Sequence, residues 1–154
     1  MKKKILYVLT LMVVTLTLTG CGNKKAITID EYKDIMSTNF FVLNNAKNRV
    51  SVNSNIKDVY IAANPKDNYQ IEFYVLESVD TAKTFFSENK TRFSKEVGKN
   101  KIETKSKKGN SEKYTVTSLG QYRLVSRIEN TVIYLDTRES NKKKVDEILK
   151  ELGY

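Results

Sequence analysis

The chain of 154 residues contains no histidine and one cysteine, Cys21. Histidine is the commonest general base and the commonest metal ligand, so its absence removes the usual ways of building a catalytic centre. What remains is a Ser-Lys pair, a lysine nucleophile or paired carboxylates. The S-x-x-K spacing occurs at Ser54 and Lys57, Ser87 and Lys90, and Ser140 and Lys143, each in a polar stretch with nothing to desolvate the amine. Glu72 and Glu77 stand five positions apart, which in a strand turns them to opposite faces. G-x-S-x-G, G-x-x-x-x-G-K-[ST] and G-x-G-x-x-G are all absent, and with them the esterase, P-loop and dinucleotide signatures. The residues therefore predict no enzyme, no metal site and no cofactor.

One charged cluster stands out. Lys142, Lys143 and Lys144 precede Val145, Ile148, Leu149 and Leu152, whose spacing is helical. Three ammoniums then occupy a first turn where the helix dipole is already positive and acidic residues would be favoured. Charge set against the dipole suits a candidate anion contact, because backbone N–H groups and amines converge there. It equally suits a solvated face in a lysine-rich chain.

The cysteine has a clearer context. Met1-Lys2-Lys3-Lys4 is followed by an uncharged, mostly apolar run from Ile5 to Thr19, a basic region and a hydrophobic region of secretory type. The run is shorter than the roughly 17–25 residues that span a bilayer as a helix. At its end Leu18-Thr19-Gly20-Cys21 resembles the lipobox of bacterial lipoprotein precursors. The resemblance implies cleavage between Gly20 and Cys21, lipidation of the Cys21 sulfur, and an extracytoplasmic protein held on the cell membrane by its acyl chains (palmitate among them). Two chains give stable anchoring where one is marginal. Residues 1–20 are then signal peptide, 21–27 the lipidated cysteine with a short tether, and 28–154 the exported domain.

Cleavage removes three lysines and no acid, leaving 134 residues and a formal charge of +6 from the +9 of the whole chain. Gly22 to Lys25 is a tether reaching on the order of 15 Å, so the domain stays near the bilayer. Anionic headgroups or wall polymer are the polyanions available to its lysines, and nucleic acid is not expected outside the membrane.

The domain itself reads as a mixture of helices and strands. Thr28-Ile29-Asp30-Glu31 is a capping box, and Tyr32, Ile35, Met36, Phe40 and Leu43 continue at helical spacing until Asn44-Asn45. Asp58 to Ala63 and Tyr69 to Leu76 alternate as strands across the turn-forming Asn64-Pro65-Lys66-Asp67-Asn68. Ser78 or Asp80 starts a second helix with Ala82, Phe85, Phe86, Phe93 and Val97 inward, closed by Gly98 in the left-handed conformation. Lys99 to Lys113 is a cationic loop turning at Gly109-Asn110, with only weak strand character. Strands follow from Tyr114 to Thr117, Gln121 to Ile128 and Thr131 to Asp136, and Ser140 caps a last helix that Gly153 ends.

This order predicts one α+β domain with a mostly antiparallel sheet of about five to six strands covered by three amphipathic helices. Tyr60 and Tyr74, out of phase with the other apolar residues of their strands, are placed together on the second sheet face. They are core if helices cover both faces and exposed if helices cover one. Beyond the lipobox, Ile27 to Tyr32, Tyr69 to Tyr74, Asn130 to Tyr134 and Leu152-Gly153-Tyr154 make the chain similar to small, functionally unassigned lipoproteins of low-GC Gram-positive bacteria, a resemblance that brings no catalytic residues. Two roles fit: a binding or accessory module at the cell surface with an unknown protein partner, or a structural or envelope-stress lipoprotein without a dedicated ligand.

Overall fold

A computed structural model describes residues 22–50, 55–98 and 100–154. Leu18, Thr19, Gly20 and Cys21 lie outside the described residues, as do Ser54 and Lys99. The chain runs α1 (Ile29–Thr38), β1 (Val42–Asn45), a 3-10 turn (Lys47–Arg49), β2 (Ile56–Asn64), β3 (Tyr69–Leu76), α2 (Val79–Lys95), β4 (Lys101–Lys108), β5 (Ser111–Ser118), β6 (Gln121–Ile128), β7 (Thr131–Arg138), a second 3-10 turn (Glu139–Asn141) and α3 (Lys142–Glu151). The α+β class holds, with seven strands in place of five to six.

The sheet order is β1-β2-β3-β7-β6-β5-β4, and every neighbouring pair is antiparallel. Two meanders, β1 to β3 and β4 to β7, are joined by α2, which carries the chain from β3 to the far edge. Both sheet faces are covered. Tyr32 and Met36 of α1 and Val145, Ile148 and Leu149 of α3 pack on Ile71, Phe73, Leu124 and Ile133. Ala82, Phe86 and Phe93 of α2 pack on Val59, Tyr114, Val116, Val125 and Val132 of the opposite face. Tyr60 and Tyr74 are therefore separated, because Tyr60 pairs with Phe73 and lies on the α1 side, whereas Tyr74 pairs with Val59 and packs at a tilt against Phe85 of α2.

The first helix ends earlier than its apolar spacing predicts. Phe41 N–H donates to Met36 carbonyl and Phe40 N–H to Ser37 carbonyl, the paired bonds of a Schellman C-cap. Phe40 takes the left-handed position with φ 62°, and Phe41 swings inward to meet Tyr69 edge to face. Leu43 then belongs to edge strand β1. The second correction concerns Lys101 to Lys108, which is strand β4 rather than a loop. Its lysines keep it soluble as an exposed edge, a common protection against unwanted pairing.

Local stops and starts follow the same chemistry elsewhere. Thr28 Oγ1 accepts from Glu31 N–H at 3.1 Å while Glu31 Oε2 accepts from Thr28 N–H at 2.7 Å, and Ser78 caps α2. Gly98 has no left-handed role, since the helix closes at Glu96 and the Gly98 N–H donates to Ser118 Oγ. Ser140 does not cap α3. It sits in the 3-10 turn, and Asn141 is the N-cap, its amide turned back to Thr137 Oγ1. Gly153 (φ 77°) ends α3 as its sequence position predicts.

Antiparallel pairing gives the sheet two distinct ends. The near end holds the Gly109-Asn110 and Glu129-Asn130 turns, the start of β2 and the end of β3; the far end holds the Asn64 to Tyr69 connection, the Leu119-Gly120 turn and the end of β7. An eight-residue strand separates them by about 26 Å.

Candidate functional site

Lys142, Lys143 and Lys144 lie at the far end, on the first turn of α3. Lys144 Nζ pairs with Asp67 Oδ1 of the β2–β3 connection at 2.7 Å, and Lys142 Nζ with Asp146 Oδ2 at 2.5 Å. The Asp146 carboxylate also accepts from Tyr122 Oη at 2.8 Å, and the Lys142 amine stands 5.1 Å over the Tyr122 ring. Burial and that carboxylate hold the Tyr122 hydroxyl well above the usual tyrosine range. The three lysines thus do not converge on one point. Two serve as fasteners of α3, and Lys143 is the exposed one without a carboxylate within 4.0 Å among the described residues.

At the near end the tether is held. Lys24 N–H donates to Asn110 Oδ1 at 2.8 Å, and Asn110 Nδ2 donates to Lys24 carbonyl at 2.7 Å, so one side-chain amide closes both backbone groups of residue 24. Lys24 Nζ reaches Gly153 carbonyl at 2.8 Å. Gly109, with φ 53°, lies so close to this segment that a Cβ there would meet Asn23 Oδ1 at 2.4 Å and Gly22 carbonyl oxygen at 2.5 Å. Only glycine fits both the conformation and the contact.

Beside the tether Arg127 is buried, with 2% of its surface exposed. Its Nη2 donates to Glu112 Oε1 at 2.8 Å and its Nη1 to Glu129 carbonyl at 2.9 Å, while Nε has no partner. A cleft of about 570 Å³ runs from Asn23 past Lys83, Lys107 and Arg127. Glu112 and Glu129 line it too, and their carboxylates offset most of its positive charge. Tyr154 seals the same end, buried against Thr131, whose hydroxyl bonds the Tyr154 hydroxyl.

The far end also exposes apolar side chains, and here sequence reasoning missed the residues that stand out. Leu119 is 78% exposed and Ile102 72%, and both line one cleft with Lys101, Thr117 and Glu139. Phe40 is 89% exposed, with Val42 beside it at the start of β1. Leu119 and Phe40 also hold left-handed backbone, at φ 52° and 62°, a conformation that is strained for a large side chain. Leu119-Gly120 is a two-residue hairpin turn with positive φ at both positions, where asparagine followed by glycine is the usual pair. The sequence signal was Gly120 between two alternating segments, since a two-residue hairpin turn of the Asn-Gly type takes positive φ at both of its positions.

Of the S-x-x-K pairs, Ser140 and Lys143 are both exposed and Ser87 lies on the outer face of α2. Among the described residues no helix is long and apolar enough to cross a membrane, and no group of three or more Cys, Asp or Glu gathers in a way that would hold a metal ion.

No family model matches the sequence, and no curated protein matches it significantly. A crystal structure of a GTP binding regulator from Thermotoga maritima is similar to it with a TM-score of 0.48 and 14% identity, covering 85% of this chain and 88% of that one.

Proposed function

We propose that the chain is a bacterial lipoprotein, anchored through acylated Cys21 to the outer face of the cell membrane, whose domain is a binding module for another protein at the cell surface. The anchoring half rests on the basic-then-apolar leader ending in Leu18-Thr19-Gly20-Cys21.

The observation that carries the binding half is Leu119. A large apolar side chain is held at positive φ and projected into water next to exposed Ile102. Each feature alone is ordinary, since isolated surface hydrophobics need no explanation. Together they set local stability against exposure of an apolar pair, which is the pattern expected where strain serves a contact. A domain that merely filled space at the membrane would have no use for it. No catalytic step is assigned.

Cys21→Ala tests the anchor. The variant should lose labelled palmitate and leave the membrane fraction; equal palmitate incorporation and membrane association in both forms would end the lipoprotein reading. For the module, Leu119→Ser with Ile102→Ser in the anchored protein should abolish any crosslinked complex formed by the wild type on intact cells. Survival of the same complex would remove this surface from consideration.

A further inference from the structure

The tether does not behave as a free spacer, and that decides which way the domain faces. An unattached Gly22-to-Lys25 segment would let the domain tumble at distances on the order of 15 Å from its anchor. Instead Asn110 clamps both backbone groups of Lys24, Lys24 Nζ is tied to the Gly153 carbonyl, and Gly22 and Asn23 press on Gly109. Lys25 adds an ion pair to Glu31 at 3.7 Å. Cys21 is the next residue back from Gly22, and neighbouring Cα atoms are about 3.8 Å apart. Acyl chains on Cys21 must therefore leave the domain beside the Gly109-Asn110 turn.

We infer that the domain stands end-on, with the Gly109-Asn110 and Glu129-Asn130 turns against the lipid surface and the Leu119-Gly120 turn pointing away from it. This rests on the lipoprotein reading and adds the surface that the membrane takes. The partner at the near end is a bilayer carrying anionic headgroups. Lys24, Lys25, Lys57, Lys83, Lys107 and Lys108 are all exposed at that end; Glu31, Asp80 and Glu112 pair with Lys25, Lys83 and Lys107, while the amines of Lys57 and Lys108 have no carboxylate within 4.0 Å among the described residues and are open to headgroup phosphates. Lys142 to Lys144 stand at the start of α3, at the other end of the strands. An end-on stance leaves them and Leu119 to the aqueous side.

The experiment uses the full-length, processed protein reconstituted into phosphatidylglycerol–phosphatidylcholine vesicles that contain a nitroxide-headgroup phospholipid. A fluorophore is attached to Lys107→Cys in one preparation and to Lys143→Cys in another, Cys21 being blocked by its acyl group. Quenching should be severalfold stronger at 107 than at 143, and Asn110→Ala should narrow the gap by freeing the tether. Equal quenching at the two positions, stronger quenching at 143, or a gap unaffected by Asn110→Ala overturns the orientation while leaving the anchor intact. A mature protein whose mass lacks the diacylglyceryl group, and which does not float with vesicles, overturns the lipoprotein reading and the orientation with it.

Discussion

The two ends of the sheet are built on opposite principles. At the near end polar groups are consumed: Asn110 closes the tether, Arg127 is buried between Glu112 and the Glu129 carbonyl, and Tyr154 bonds Thr131 under cover. At the far end side chains are displayed, with Leu119 and Ile102 on one side, Phe40 and Val42 on the other, and the first turn of α3 between charged neighbours. The left-handed residues do not divide as cleanly, since Glu129 holds φ 52° at the near end; the contrast is that Gly109 is pressed by Gly22 and Asn23, whereas Leu119 and Phe40 hold the same region of backbone with exposed apolar side chains. A turn that must fit against its own chain selects glycine, and a turn free to face water can carry a residue chosen for another purpose.

The largest effect should come from dismantling the near end. Arg127→Ala would leave the Glu112 carboxylate partly buried without its partner, and breaking such a pair costs about 3 kcal/mol. Urea unfolding should show that loss. Arg127→Met combined with Glu112→Gln should recover most of it, because both charges go together. A loss below about 0.5 kcal/mol would place Arg127 with ordinary surface charges.

The far end should respond in the opposite direction. Leu119→Asn converts the β5–β6 turn to Asn-Gly, and Phe40→Gly gives α1 the residue its C-cap favours. Each should raise stability by about 1 kcal/mol, since the left-handed conformation is penalised by that order for other residues. The two sites lie in separate turns, one after α1 and one between β5 and β6, so the gains should add. Thermal unfolding of the double variant checks this; a destabilised double variant would mean that Leu119 and Phe40 pack for stability after all.

A smaller change is expected at the edge strand as pH falls. Glu103 accepts from Tyr114 Oη at 2.7 Å and pairs with Lys101 at 3.0 Å, which lowers its carboxyl to about 2 from 4.5. A depressed folded-state value means that the stabilisation is present above the unfolded value and is lost as pH falls through the folded one. The relevant window is therefore between pH 4.5 and about 2. Glu103→Gln should be less stable than wild type at neutral pH, and the two should converge below that window. A difference that stays constant with pH would show that ionisation of Glu103 is irrelevant.

Much of the fold is legible wherever one local rule acts alone. Thr28 and Glu31 announce a capping box, Asn64 to Asn68 a turn, and Gly153 a helix end, and each forms as its chemistry dictates. The failures occur where two rules compete. Phe40 and Leu43 keep the helical phase of α1, yet Phe41 gains more by burial against Tyr69 than the helix gains by continuing. Lys101 to Lys108 has the composition of a loop, but antiparallel pairing with β5 supplies its hydrogen bonds and leaves its side chains in water. Tyr60 and Tyr74 cannot be assigned to faces from alternation alone, because both faces are apolar once helices cover both. The lysines of α3 were visible as a cluster; their partner Asp67 lies 77 positions away from Lys144 and is invisible to local reading. The tether clamp was equally hidden, since Asn110 and Lys24 are 86 positions apart.

The division of labour between the two ends is tested most directly by photocrosslinking on intact cells, with a photoreactive residue placed at position 119 in one strain and at position 107 in another. The account predicts a discrete protein adduct at 119, lost when Ile102→Ser is added, and lipid adducts without that protein at 107. The same protein adduct at both positions, or protein at 107 and lipid at 119, would contradict it.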